Sequence, residues 1–521
     1  MKEHQHNDKE KNVPKITRRQ FLGVAAVAGT MATLSGCGVV EEIGGDGGWL
    51  PTQYRSEGNW TAQVKGRVPL DPDNIAVVRD DTKCILCGQC LEACDRVQSV
   101  FDYYELPIKD EFICIHCGQC ALYCPSGAIT ERSQIDQVRD AINDPNKFVV
   151  VQTAPSIRVG LGEEFGDDAG TWVEGQMVAA LRRLGFDAVL DTNFGADFTI
   201  MEEGTELVQR LTGDGILPQF TSCCPGWVKF LEYYYPDLMD HLSTAKSPMQ
   251  MQGAMTKTYY AARKKIDPNK IVSVAIMPCT AKKFEANRPE FNAAGEYHNL
   301  PDMRDIDFVL STRELANFIK EENIDFASLP EESFDPIMGE GSGAGVIFGN
   351  TGGVMEAAIR TAYYVVAGEE PPSGLLNLQP VRGLDSIKEA SVNVPGFGEV
   401  RVAVASSLSA ARTLCDRVRA GEADYHFIEI MSCPGGCIAG GGQPKTTVPP
   451  DNSMREKRID SLYHRDSTMA ENKRTSHENT EIQTAYNDFL GEPCSEIAHE
   501  LLHTHYSSRG DALTPKEGGE S

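Results

Sequence analysis

Ile271-Val272-Ser273-Val274-Ala275-Ile276-Met277 runs directly into Pro278-Cys279-Thr280-Ala281-Lys282. An apolar, β-branched run of this kind reads as a buried strand, and the Pro-Cys break after Met277 ends it. The pattern recurs. His426 to Met431 is another strand run, closed by Ser432-Cys433-Pro434-Gly435-Gly436-Cys437. A third cysteine island, Thr221-Ser222-Cys223-Cys224-Pro225-Gly226-Trp227, has the same turn-forming composition. Phe148 to Val151 and Val400 to Ala405 add strands, while Val173 to Leu184, Thr312 to Glu322 and Val354 to Val366 carry helical periodicity. Alternating strands and helices predict an α/β domain over 136–450, built on largely parallel sheets flanked by helices. In such sheets, ligand sites form where the strands end.

The full chain has 521 residues, room for roughly two to four domains. Its formal charge of −26 excludes nucleic acid and an anionic lipid surface as partners and suits a basic electron carrier. Sixteen cysteines in a chain of this kind would ordinarily mean disulfides, but their spacing points elsewhere. Cys84, Cys87, Cys90 and Cys94 follow C-x2-C-x2-C-x3-C, and Cys114, Cys117, Cys120 and Cys124 repeat it before Pro125. Three thiolates at this spacing wrap three corners of an iron–sulfur cubane, and the fourth corner comes from the other motif. Cys84, Cys87, Cys90 and Cys124 are therefore assigned to one [4Fe–4S] cluster, and Cys114, Cys117, Cys120 and Cys94 to a second. Residues 75–135 become a ferredoxin-like α+β domain with a pseudo-twofold β-α-β repeat. Asp95 stands where the tandem pattern usually has proline. By chemistry alone, the three islands offer a third iron–sulfur site with one thiol to spare. Cys415 lies in an apolar helical pattern and reads as core; Cys494 has no functional reading.

The N-terminus reads as a targeting segment. Thr17-Arg18-Arg19-Gln20-Phe21-Leu22 opens an apolar stretch ending near Leu34, the pattern of a twin-arginine export signal. Leu34-Ser35-Gly36-Cys37 resembles a lipobox, in which Cys37 takes a lipid. Residues 1–37 are then signal and 38–74 a linker.

The three islands resemble the signatures of the [FeFe]-hydrogenases, which make or split molecular hydrogen, and the likeness extends over 75–506. It implies an H-cluster: a [4Fe–4S] cubane bridged by one cysteine to a two-iron unit carrying CO, cyanide and an amine dithiolate. By motif position, Cys224, Cys279, Cys433 and Cys437 would hold the cubane, with Cys437 as the bridge. Cys223 would pass a proton to the dithiolate amine and Lys282 would hydrogen-bond a cyanide. Met277, Phe348 and Met431 would wall the pocket, although each also suits plain core. The turn Ala154, Pro155 and Ser156 would meet a cyanide. Met249 and Ala281 stand where some members have glutamine and serine. The segment 451–506 resembles the small subunit of two-subunit periplasmic relatives, here fused as a helical belt, with 507–521 a disordered tail. Within it, 450–475 reads as a charged loop, and Glu481 to Leu490 and Glu496 to His503 as helices; the histidines near the end read as packing and capping residues.

One segment reads in two ways. Ile200 to Leu211 has an amphipathic pattern in which Glu203 and Glu206 point away from the apolar stripe, as on a solvated face. The resemblance instead makes Cys223, Glu206, Ser243 and Glu203, in that order, a proton relay to the surface, with Arg210 at its mouth. The resemblance further implies reversible 2H⁺ + 2e⁻ to H₂. Outside the membrane this would run as H₂ oxidation, with electrons leaving through the two clusters to a c-type cytochrome, a ferredoxin or a membrane carrier. The alternative is a non-catalytic H₂ sensor or an iron–sulfur electron-transfer protein.

Overall fold

The computed structural model describes residues 66–104, 112–445 and 447–513. The export signal and Cys37 lie outside the described residues. Among the described residues, no helix is long and apolar enough to cross a membrane.

The large domain rests on two four-stranded sheets. In one, the order is β4 (Ala188–Asp191), β3 (Phe148–Thr153), β6 (Ile271–Met277), β7 (Phe308–Ser311), all parallel. The other has the order β5 (Gln219–Phe220), β10 (Phe427–Met431), β9 (Gly398–Ser406), β8 (Ile387–Val394). There β5, β10 and β9 are parallel and β8 closes the edge antiparallel. Strands β3, β4, β6 and β10 are almost wholly buried, which is why they read as unbroken apolar runs. Helices cover both sheets; Glu174–Leu184, for example, buries Met177, Val178, Leu181 and Leu184.

Before this domain lies a small lobe with β1 (Val77–Arg79) paired antiparallel to β2 (Ile129–Glu131). Its two cysteine motifs share one backbone course. Leu86 and His116 both have positive φ, as do Gly88 and Gly118, and each glycine opens a short helix, Gln89–Glu92 or Gln119–Leu122. The motifs diverge afterwards. At Asp95 the helical winding continues through Ala93–Val97, whereas Pro125 follows a helix that has already ended at Leu122. Proline cannot donate a helical N–H, and aspartate can.

The C-terminal segment departs from the loop expected over 450–475. Residues Asn452–Thr468 form a helix, N-capped by Asp451, whose carboxylate accepts from the Met454 amide at 2.8 Å. Its charged composition hid it, because several charges are buried and paired rather than solvated. Arg458 meets Glu163 at 2.7 Å, and both are almost fully buried. Asp466 accepts from Arg360 at 2.9 Å and from Arg474 at 2.7 Å, and Arg360 also binds Glu356 at 2.8 Å. Beyond it, Thr480–Ala485, continuing as Tyr486–Leu490, and Glu496–Leu502 are helical. Residues 507–513, expected to open a disordered tail, are held in place, and 514–521 lie outside the described residues. Arg509 pairs with the buried Glu232 at 2.9 Å, and Gly510–Leu513 forms a helical turn. A buried carboxylate holds this stretch in place.

Burial raises the Asp466 carboxyl, but Arg474 and Arg360 outweigh it and hold the group below its ordinary value. Its stabilising effect is therefore complete above the unfolded carboxylate pKa of about 3.9 and fades as pH falls through the lower folded value. Asp466→Ala leaves two buried guanidiniums short of a partner and is expected to cost about 3–5 kcal/mol in guanidinium-induced unfolding. A loss under 1 kcal/mol would show that the network does not anchor the segment.

Candidate active site

Parallel pairing places the carboxyl ends of neighbouring strands on one edge of each sheet, and the cysteine islands leave from those edges. Cys279 follows β6 and Cys433 follows β10. Cys223 and Cys224 follow β5, and Cys224 is the N-cap of Pro225–Tyr234, with Pro225 at the first helical position. That helix start favours a thiolate. The loops converge on one cavity of about 710 Å³, lined by Cys223, Cys224, Cys279, Cys433 and Cys437. Lys282, Met277, Phe348, Met431, Ala154, Pro155 and Ser156 line the same cavity. Within the turn that follows β3, the Ala154 amide is already bonded to Ile276 O at 3.1 Å, and Pro155 has no N–H. Ser156 therefore supplies the donors of that turn, and its hydroxyl, fully buried, has no partner in the protein.

The small lobe makes two thiol sets. Cys84, Cys87, Cys90 and Cys124 share a pocket of about 310 Å³. Cys94 lies close enough to Cys114 for its charge to act on it, and Cys120 feels both. The second set abuts the large cavity. Gln119 donates to Cys433 Sγ at 3.2 Å and to Ala439 O at 2.9 Å, and Gln98 donates to Ser432 O at 2.9 Å. A Cβ on Gly441 would collide with Cys117 O, and one on Gly118 with the Thr280 hydroxyl, so glycine on both sides permits the close approach.

Comparison with known proteins gives the same organisation. Residues 147–441 match the iron only hydrogenase large subunit, C-terminal domain; 452–509 match the iron hydrogenase small subunit; and 107–130 match the 4Fe-4S binding domain. The chain belongs to the iron-only hydrogenase family. It is 49% identical to the periplasmic [Fe] hydrogenase large subunit of Nitratidesulfovibrio vulgaris, over 72% of this chain and 88% of that one. It is 48% identical to the NADP-reducing hydrogenase subunit HndD of Solidesulfovibrio fructosivorans, over 83% and 75%. A solved [FeFe]-hydrogenase of Chlamydomonas reinhardtii superposes with a TM-score of 0.64 at 45% identity, covering 73% of this chain and all of that one. The chain is thus an iron hydrogenase, an oxidoreductase acting on H₂, and its cofactors are iron–sulfur clusters and the H-cluster.

The residues present fit those groups. Burial pushes the Cys279 thiol up to about 12, with the Cys224 charge adding to it, and raises Cys433 and Cys437 as well. Such a set ionises together only around a polycationic centre. The cavity is also larger than the space beside Cys84, Cys87, Cys90 and Cys124, and a fifth thiol and Lys282 line it besides the four cubane cysteines. Lys282 is pinned by Glu285 at 2.8 Å and by Cys223 O at 3.1 Å. Burial opposes its charge, but Glu285 outweighs burial and keeps the amine above its ordinary value.

The helix Thr192–Thr212 corrects the reading of its glutamates. It is buried along most of its length, and Glu203 is fully inside the protein rather than on a solvated face. The two glutamates also stand at different depths from those the order Cys223, Glu206, Ser243, Glu203 implies. Glu203 is the inner carboxyl, near enough to bear on the Cys223 thiol. Glu206 is the outer one: Ser243 donates to it at 2.7 Å, the Thr244 amide at 3.1 Å, and Arg210 at 2.7 Å. Glu203 thus lies on the cavity side, and Ser243, Glu206 and Arg210 lie beyond it. Periodicity misled because tertiary packing buries the polar side of this helix: Glu203 lies among Ser222, Ser243 and Glu429, and the C-terminal segment covers Glu202. Tyr486, the Cys494 amide and His503 all bind Glu202, which is itself buried.

Sequence reasoning missed Glu285, Gln119, Ser432 and Thr192. The i,i+3 pairing of Lys282 with Glu285 could have revealed the first. Ser432 Oγ lies 3.1 Å from Cys224 Sγ and Thr192 lines the cavity, contacts that no local pattern signals. Cys415 is buried core, as its pattern implies.

Burial, reinforced by the Glu206 charge, pushes the Glu203 carboxyl up to about 8, so it is protonated at neutral pH. Between pH 4.5 and about 8 unfolding would release that proton, so this group makes stability fall as pH rises through that window. Infrared difference spectra are expected to show a protonated carboxylic acid that titrates with a midpoint near 8. The band should be missing from Glu203→Gln. Its persistence in that variant would assign the proton to another group.

Proposed function

We propose that this hydrogenase oxidises H₂ outside the cytoplasmic membrane. The observation that carries the reading is the cavity itself: four thiols suited to a cubane, with a fifth, Cys223, starting a buried chain of proton-bearing groups that ends beside Arg210. Cys224, Cys279, Cys433 and Cys437 would hold the H-cluster cubane, with Cys437 shared by the two-iron unit. When bound, that unit supplies the metal centre at which H₂ is split or formed. Lys282 and Ser156 would present donors to its cyanide ligands, while Met277, Phe348 and Met431 would keep water from it. Cys223 would exchange a proton with the cavity and Glu203 with Cys223. Ser243 and Glu206 would carry it outward. Proton transfer through such groups works best when their pKa values lie near working pH, and Glu203 meets that condition.

Electrons would leave by way of Cys433, Gln119 and the cluster of Cys94, Cys114, Cys117 and Cys120. From there they would pass to the cluster of Cys84, Cys87, Cys90 and Cys124 and on to a c-type cytochrome, a ferredoxin or a membrane carrier. The strongly acidic chain favours a basic carrier. Export through the twin-arginine signal fits a protein that must cross the membrane already folded around its clusters, and the Nitratidesulfovibrio relative is named as periplasmic. Cys37 would then be available for a lipid anchor.

Protein loaded with iron–sulfur clusters and a synthetic two-iron unit is expected to evolve H₂ from reduced viologen. Cys223→Ala, loaded equally, should lose activity by roughly 10²-fold or more. An inactive parent whose metal content is complete would instead favour a sensor or electron-transfer role. For location, Arg18→Lys with Arg19→Lys is expected to keep the protein in the cytoplasmic fraction; equal export of the variant would exclude the twin-arginine route.

A further inference from the structure

Cys494, His499 and His503 gather on the C-terminal segment, and one ligand atom of each lies within 4.8 Å of the others. None belongs to the cavity or the relay. Cys494 sits in left-handed backbone, φ 59°, just before the helix Glu496–Leu502. His499 and His503 are one turn apart on that helix and its C-cap, with ring centroids at 4.1 Å. Burial is graded: His503 is buried, Cys494 half-buried and His499 exposed. The inner group is fixed and the outer one leaves an entry path.

His503 is held as metal-ligating histidines are. Its Nδ1 lies 2.8 Å from Thr244 Oγ1, and its Nε2 lies 3.0 Å from Glu202 Oε2. The Glu202 carboxylate is fully buried and also accepts from the Cys494 amide at 2.7 Å. One thiolate and two imidazoles give three protein donors, the neighbouring Glu202 carboxylate helps offset the charge of a divalent cation, and the fourth position is left to solvent. Thiolate and imidazole donors select zinc-like ions over magnesium or calcium, which prefer oxygen. Burial and the Glu202 charge push the free Cys494 thiol up, and a bound dication reverses that preference. Tetrahedral zinc holds its donors roughly 3.3–3.6 Å apart, inside the 4.8 Å within which these three atoms lie, and the exposed His499 side chain has room to adjust.

We propose that Cys494, His499 and His503 form a binding site for a borderline divalent cation, zinc foremost, with the buried Glu202 carboxylate beside it. The site would pin the C-terminal segment beside the relay, since Glu202 adjoins Glu203 and Thr244 adjoins Ser243.

The test uses the full, cluster-loaded protein given one equivalent of zinc and then desalted. One retained zinc is expected, with an X-ray absorption shell of one sulfur and otherwise nitrogen and oxygen. Cys494→Ala and His499→Ala should each weaken zinc binding by about 100-fold or more, beyond the cost of losing a mere supporting partner. Iron content and circular dichroism matching the parent show that each variant is folded; the exposed His499 makes its substitution the safer of the two. No retained zinc, a sulfur-rich shell from binding at cluster cysteines, or retention unchanged in both variants would each overturn the site. Hydrogen evolution is not the readout, so this result stands apart from the hydrogenase reading.

Discussion

Buried thiols are the constraint on which the rest of this structure depends. Cys223, Cys224, Cys279, Cys433 and Cys437 come from distant parts of the chain and share one enclosed space. As thiolates they repel one another in a medium that screens poorly, and burial raises every one whose shift is resolved. A polycationic iron–sulfur centre supplies the missing charge. The scaffold must therefore deliver five sulfurs without losing backbone hydrogen bonds, and parallel strands from two sheets, with their carboxyl ends turned to one cavity, do so. Glycine and proline in the island loops follow from the same demand. Gly436, at φ +96°, lies so close to the Thr351 amide that a Cβ would approach it to 2.5 Å.

The same interior carries an unusual load of ionisable side chains, each answered by a specific partner. Arg360 with Glu356 and Asp466, Arg458 with Glu163, Arg288 with Glu232 and Lys282 with Glu285 are buried pairs. Pairs of this kind add little net stability but cost heavily when one partner is removed, so they specify where each segment must dock. Three of them involve or adjoin the C-terminal segment. That segment threads past Glu163, Arg360, Asp197, Glu202, Thr244 and Glu232, and it encloses Asp197 and Glu202 on the helix Thr192–Thr212. The raised Glu203 carboxyl follows from burial and from the Glu206 charge one turn along the same helix.

Where reading by pattern succeeded, the signal was local. β6 spans Ile271–Met277 as its apolar run indicates, and the cysteine motifs each contain their own turn geometry in Leu86 and Gly88 or His116 and Gly118. Where it failed, the deciding contact was remote. Asn452–Thr468 looked like a charged loop because Arg458 and Asp466 are satisfied by partners on other elements. Glu203 and Glu206 looked equivalent, because three residues along a helix face give no hint of which end meets Cys223. Residues 507–513 looked featureless, since their anchor is Glu232, far back in the chain.

The sequence by itself determined the chemistry: cysteine spacing in the motifs and islands is a local property, and thiolates so grouped call for iron and sulfur. It also determined the strands, because a parallel strand buried on both faces must be apolar throughout. Tertiary structure alone decided which glutamate lies beside Cys223, the contact of Gln119 with Cys433, the pinning of Lys282 beside Cys223 and the burial of Glu202 against the C-terminal segment. Those depend on which surfaces meet, and the energy of a buried charge is set by neighbours that no local pattern names.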